Sequence, residues 1–365
     1  MKEGCTMKEE LRQLAAPQEE IRFGRAPGKN SRRFLAFLIC IGMLTSAFAL
    51  SGVWMYRDGF WRLPEEDKAE QTDENDSAAN EDPTQQAPAE QPDDPPAEET
   101  VPEGAIPVVS LDLSYTRSET SLLQNQTAYD PNVDALKNSS LFCNANGSYG
   151  PLVLILHTHA SEAYLEAEAS YVAGEVGKQI YSEESSRSVI SVGRALCETL
   201  NENGVPAVQC TEKHGKDGTL QNSYAGAAAC IAAYLKKYPS IQYVIDLHRD
   251  GILNSEGALV RTEVSENEEG YGQIMAVVGT DGNGTSCPSW QSNLSLALQL
   301  YSGLHSRVEN ICRPISLRNA SYNQELAPYS LLLEIGSAGN TQAEAIRSAK
   351  LVGAVLAALI NNARQ

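Results

Sequence analysis

Three apolar runs in this chain stop at residues that bind metals or move protons. They are Val153-Leu154-Ile155-Leu156-His157-Thr158-His159, Tyr243-Val244-Ile245-Asp246-Leu247-His248 and Leu331-Leu332-Leu333-Glu334. Uninterrupted apolar runs of this length read as strands buried on both faces of a parallel sheet, and open α/β sheets collect ligands beyond the carboxyl ends of such strands. Histidines and a glutamate would then meet on one rim. The chain has five histidines, and three of them close two of these runs. A single-zinc hydrolase is the chemistry this arrangement suits best. The small residues Gly336, Ser337, Ala338 and Gly339 after Glu334 suit a strand-to-helix turn passing close to a site.

Beyond residue 107, strand and helix signals alternate to the end. Val189, Val192, Leu196 and Leu200 recur at helical spacing over 188–200, and Asn203-Gly204 closes that run. Residues 206–210 read as a short strand, 223–234 as an alanine-rich helix, 241–248 as a strand and 251–270 as a polar hairpin region. A buried strand follows at 274–279 and a long amphipathic helix at 294–311. Thr341 and Glu344 have capping-box spacing ahead of a last helix through Leu359. Strands separated by helices predict right-handed βαβ units and a three-layer α/β domain with a mostly parallel central sheet.

The amino-terminal third has a different character. Residues 34–56 hold no charged side chain, follow Lys29, Arg32 and Arg33, and close on Trp54 and Tyr56. That pattern predicts a transmembrane helix with a cytoplasmic amino terminus. A cleaved signal peptide is the alternative, with Ala47-Phe48-Ala49 as a small-x-small site. The expected organisation is a cytoplasmic segment at 1–33, the span at 34–56, an acidic Pro/Ala-rich disordered linker at 57–107 and a catalytic domain outside the membrane at 108–365. The linker holds too little apolar surface to offset its ordering entropy. With 28 basic and 47 acidic residues the chain carries a net charge of −19, which argues against nucleic acid as a partner. Of eight cysteines, Cys5 and Cys40 precede or enter the span, while Cys143, Cys197, Cys210, Cys230, Cys287 and Cys312 lie beyond it. None forms a C-x-x-C pair, which argues against a cysteine zinc site and leaves structural use or partial disulfide pairing.

Within the outer domain, His157 and His159 are two apart and would share one face of an extended strand. Both could ligate, one could support the other, or neither could bind. Glu162 lies three residues after His159, and H-x-x-E followed at a distance by His248 is a spacing of mononuclear zinc hydrolases, in which His, Glu and His leave a fourth position open. Asp246 shares a strand face with His248 and could orient its imidazole or make a plain polar contact. Arg249 could meet a substrate carboxylate or a developing oxyanion, or sit in an ion pair. Glu334 ends a buried run where an unused carboxylate is costly; beside zinc it would be the general base, and otherwise it would be paired with Arg249 or another base. No G-x-S-x-G elbow falls near a strand end, and no cysteine has an assigned histidine partner.

Four segments in order, Thr158-His159-Ala160-Ser161-Glu162-Ala163-Tyr164, Asp246-Leu247-His248-Arg249-Asp250, Tyr322-Asn323-Gln324-Glu325-Leu326-Ala327-Pro328 and Leu333-Glu334-Ile335-Gly336 with Asn340-Thr341 and Glu344, closely resemble the stage II sporulation protein P family. The resemblance runs from residue 108 to the end, and an anchor with a tether also suits that family. It implies a fold like that of the zinc-dependent N-acetylmuramoyl-L-alanine amidases. The implied activity is peptidoglycan hydrolysis during forespore engulfment, at the amide between N-acetylmuramic acid and L-alanine and also at stem-peptide cross-links. Stage II sporulation proteins D and M are the implied partners and Zn2+ the implied cofactor. Carried over, His159 and His248 are metal ligands and Glu334 the catalytic glutamate. Related cell-wall amidases take their glutamate ligand from the start of the helix after the first histidine, which nominates Glu183 or Glu184, whereas H-x-x-E nominates Glu162; Glu162 is taken as the third ligand. His214 is expected to be a cleft or structural residue. The alternatives are a metallo-endopeptidase or carboxypeptidase acting only on stem peptides, and a catalytically silent scaffold that recruits a partner hydrolase.

Overall fold

The computed structural model describes residues 102–114, 122–141, 150–174, 179–214, 222–281, 284 and 286–364. The expected membrane span and most of the acidic linker lie outside them, and no described helix is long and apolar enough to cross a membrane. The described elements are strands β1 (Ile106–Leu111), β2 (Leu123–Asn125), β3 (Val153–Leu156), β4 (Tyr171–Val172), β5 (Ala207–Gln209), β6 (Tyr243–Asp250), β7 (Leu259–Glu266), β8 (Glu269–Gly272), β9 (Ile274–Gly279), β10 (Ile315–Arg318) and β11 (Tyr329–Ser337). The helices are α1 (Val133–Lys137), α2 (Val189–Glu202), α3 (Ser223–Lys237), α4 (Trp290–His305) and α5 (Gln342–Ala363).

Seven strands form the main sheet in the order β2-β10-β9-β11-β6-β3-β5. Side chains alternate across it with the strand period of two. Val153 and Ile155 of β3 and Tyr243, Ile245 and Leu247 of β6 join the large core under α2, α4 and α5. Leu154, Leu156 and Val244 face the other way, onto Ala227, Cys230 and Ile231 of α3. The three layers are therefore as expected, with α3 on the second face among the described residues. By the same alternation Asp246 and His248 follow Val244 to the α3 face. Leu332 of β11 packs with Met275 and Val277 in a small cluster apart from the large core, and Glu334 follows it.

The sheet is mixed. Its pairs are parallel except β11 with β9, which run antiparallel. The chain reaches β9 from β6 through β7 and β8 without a helix, whereas β9 leads to its parallel neighbour β10 across α4, the crossover that parallel neighbours need. The polar stretch at 251–270 is the β7–β8 hairpin, whose antiparallel register turns at Asn267 and Glu268. Both turn residues have positive φ, 52° and 68°, as a two-residue type I′ turn demands. A second sheet, β4-β1-β7-β8, was not expected from the sequence. Its first long strand, β1, straddles the expected boundary between linker and domain at 107/108.

Candidate functional site

β3 ends at Leu156, one residue before the histidines. The chain then turns, with Glu162 N donating to His159 O at 3.0 Å, so His157 and His159 do not share a strand face. His157 is fully buried. Its Nδ1 lies 2.9 Å from Leu247 O, which can only accept, so Nδ1 carries the proton and Nε2 accepts from the Gln209 amide at 2.9 Å. Burial lowers its pKa to about 4. Gly193 makes room for it, since a Cβ there would come 2.4 Å from His157 Cε1. His157 is a neutral core residue, turned away from the rim.

His159, Glu162 and His248 do converge. Each offers one donor atom, and the three atoms lie within 4.8 Å of one another. Glu162 sits between the histidines: Oε1 is 3.2 Å from His159 Nδ1 and Oε2 is 3.4 Å from His248 Nδ1. The imidazoles meet edge to face at 4.9 Å. Side-chain exposures are 12% for His159, 11% for Glu162 and 3% for His248, so the group opens to solvent at His159 and Glu162. Glu183 and Glu184 are exposed and not in this group; Glu183 pairs with Lys213 at 2.6 Å.

β6 and the turn after β3 are stitched together here. Asp246 accepts from Thr158 N at 2.8 Å and Thr158 Oγ1 at 2.6 Å. Its Oδ1 is also 3.0 Å from His248 Nε2, an ion-pair distance, though the ring N–H is not aligned for a hydrogen bond. Burial opposes charge on His248, but the Asp246 and Glu162 carboxylates outweigh it and hold the imidazole well above its usual pKa. Burial likewise disfavours the Glu162 carboxylate, yet His248 and then His159 hold it well below the usual range. In the metal-free chain a proton on His248 thus does the work of a cation. Two imidazoles and one carboxylate around that point form the donor set of a mononuclear zinc hydrolase, and the residues fit the metal.

Glu334 stands directly across from His248 in the β11–β6 register. It is half-buried, its Oε2 has no hydrogen-bond partner, and burial, then the charge of Asp250, raise its pKa to about 8. Asp250 is itself bound by Arg313 Nη2 at 2.7 Å. Arg249 is not paired with Glu334; its guanidinium lies over the Tyr181 ring, 5.0 Å from the centroid. It is buried and donates to Ala163 O at 2.9 Å and Ile180 O at 2.6 Å, clamping the loop that carries Glu162. Tyr224 of α3 meets the His159 ring at 5.7 Å, and Tyr322 lies 6.0 Å from Tyr224. Asn323 ties the two segments by donating to Tyr224 O at 2.8 Å. Sequence reasoning assigned neither tyrosine a role, although Tyr322 opens one of the four family segments; the one signal for Tyr224 is an aromatic near the start of an alanine-rich helix.

Comparison with known proteins places these segments in context. The stage II sporulation protein P of Bacillus subtilis (strain 168) is 25% identical over 208 residues, 54% of this chain and 48% of the relative, so the match spans about half of that protein's length. Among solved structures, the N-acetylmuramyl-L-alanine amidase Ami1 from Mycobacterium smegmatis is similar at a TM-score of 0.33 and 14% identity, over 59% of this chain and 99% of that one. The CwlD amidase from Clostridioides difficile, solved in complex with the GerS lipoprotein, is similar at a TM-score of 0.31 and 12% identity, over 58% of this chain and 98% of that one. The family model for stage II sporulation protein P matches residues 61–357, most of the chain and the whole of the site just described, and the chain belongs to that family.

Proposed function

We propose that this chain is a zinc-dependent peptidoglycan hydrolase that cleaves the amide between N-acetylmuramic acid and L-alanine and acts in forespore engulfment. The observation that carries this reading is the meeting of His159, Glu162 and His248 around one point, with Glu334 across from His248. Zinc held by those three residues supplies Lewis acidity toward the scissile carbonyl and its attacking water. Glu334 takes the proton from that water and delivers it to the departing amine. A carboxylate raised toward neutrality by burial is matched to such a relay, and its unpartnered Oε2 has no competing hydrogen bond to break. Asp246 holds His248, while Arg249 holds the loop of Glu162. Tyr224 and Tyr322 stand on the His159 side and offer flat aromatic surface to a polymeric substrate. In this reading residues 34–56 span the membrane once, the amino terminus is cytoplasmic, and the acidic linker carries the enzyme out to the wall, where stage II sporulation proteins D and M are its partners.

The test is to incubate the purified chain with defined peptidoglycan fragments, with chelator and with added zinc, and to identify products by mass spectrometry. Free stem peptides and peptide-free glycan are expected, lost on chelation. Glu334→Gln is expected to retain zinc while activity falls about 10²–10⁴-fold, the usual worth of a general base. Intact sugar–peptide amides with split cross-links would instead make the chain an endopeptidase, and a fully active Glu334→Gln would overturn the assigned base.

A further inference from the structure

Away from the catalytic donors, a second group of metal-binding side chains meets at the edge of the main sheet. Cys210 follows β5, and its N–H continues that strand's pairing by donating to Ile155 O at 2.8 Å. His214 lies four residues on. Cys230 comes from the middle of α3. One donor atom from each lies within 4.8 Å of the others, although the spacing of the cysteines in sequence argued against any such site. Both cysteines are buried, at 0% and 6% exposure, and both are free thiols. His214 Nε2 is buried and has no hydrogen-bond partner.

The surroundings hold this arrangement in place. Ser223 Oγ donates to His214 O at 3.1 Å. Gly226 lets the imidazole lie against α3, because a Cβ there would come 3.2 Å from His214 Cβ. The two thiols are hydrogen-bonded to each other, and their sulfurs lie with the His214 ring within reach of one ion. Another group of close-set ligand-type side chains, Glu168, Glu263 and Glu344, differs in being filled by the Arg261 guanidinium.

We infer that Cys210, His214 and Cys230 bind a second divalent cation of the zinc class, fastening α3 to the edge of the sheet. Two sulfurs and an imidazole select a soft or borderline ion over calcium or magnesium, which take oxygen donors. Three protein donors leave one tetrahedral position to solvent. The consequence reaches the proposed catalytic centre through α3, whose Tyr224 packs on His159. This inference does not depend on what the His159 site does.

The full chain, reduced, stripped of metal and titrated with Co2+, tests it. Two equivalents are expected, one of them producing a thiolate-to-cobalt charge-transfer absorption that only a cysteine site can give. That band is expected to vanish, with one equivalent, in Cys230→Ser and to persist in the His159→Ala/His248→Ala double variant. Because Cys230→Ser could lose structure, a second readout uses the wild type alone. Alkylation of Cys210 and Cys230, followed by mass spectrometry, is expected to slow at least tenfold on adding zinc to the stripped chain. Absence of the thiolate band in the folded wild type at saturating cobalt, or a Cys210–Cys230 disulfide in chain purified without air, would overturn the site. A band with no peptidoglycan hydrolysis would leave it standing and remove the catalytic proposal alone.

Discussion

At the residue scale, the protonation of the metal-free site sets how the proposed zinc ion would bind. His248 is held protonated by Asp246 and Glu162, and a metal can take its Nδ1 only after that proton leaves. The sign follows directly. Below the raised pKa of His248, each zinc ion displaces one proton, so affinity climbs with pH through neutrality by about tenfold per unit, and levels off once His248 is neutral. Competition against a chelator of known pH dependence measures this, and calorimetry in buffers of different ionisation enthalpy counts the proton. Affinity that is flat between pH 6 and 8 would mean His248 is not a ligand. Asp246→Asn removes one of the two charges holding the proton and is expected to shift the rise to lower pH. The sequence carried His159, Glu162 and His248 to this point because strand ends and i,i+3 spacing survive folding. The shared face expected for His157 and His159 failed because β3 stops at Leu156, and the face a side chain takes after a strand ends is set by the turn. Arg249 was legible only as a charge; the carbonyls it reaches at Ala163 and Ile180 belong to segments distant in sequence.

At the element scale, β11 places Glu334 by breaking its own register. Pairing with β6 shifts between Glu334 and Ser337, and Gly336 takes a φ of 66°, a conformation costly to any residue with a Cβ. The side chain of Asn340 fills the space opposite: a Cβ on Gly336 would lie 3.0 Å from its Oδ1. That oxygen accepts from Ser337 N at 2.8 Å and Thr262 N at 3.1 Å, while Nδ2 donates to Glu344 at 2.8 Å, part of the Thr341–Glu344 capping box that starts α5. Gly336→Ala is therefore expected to cost about 1–2 kcal/mol from backbone conformation, with a further loss as Asn340 gives way. Urea unfolding reads the first, and hydrolysis by the folded fraction should fall because Glu334 moves relative to His248. An unchanged midpoint would show that the bulge is not strained by a side chain. The capping box and the small residues after Glu334 were legible from spacing. The reversal of β9 was not, since nothing within 274–279 distinguishes a buried strand running one way from its opposite; the chain reaches it from β6 without a helix.

At the scale of the whole molecule, the small sheet supports the site from behind. β1 pairs with β7 from Val108–Leu259 to Leu111–Thr262 and with β4 at Ile106 and Pro107. Its Ile106 and Val108 pack on Leu165, Val172, Ile180, Leu259 and Ala338. Thr262 in turn holds Asn340, and Asn340 holds the turn after Glu334. These strands were hard to see in sequence because β4 is two residues long and β1 is half-buried and adjoins the acidic linker, so neither carries a strong apolar alternation. A chain starting at Pro102 keeps this support, and one starting at Asp112 loses β1 whole. The four half-buried aliphatic side chains of β1, Ile106, Val108, Val109 and Leu111, are worth about 4 kcal/mol by area, and each kcal/mol moves Tm by about 2–4 °C in a domain of this size. The shorter chain is thus expected to melt roughly 8–16 °C lower. Zinc should still bind, because His159, Glu162 and His248 belong to the main sheet and its turns, but turnover should drop as Asn340 loosens its hold on β11. Scanning calorimetry, a zinc titration and the fragment assay on the two chains separate these effects. Equal melting would place β1 outside the cooperative unit, whereas lost zinc binding would mean that the small sheet shapes the metal site itself.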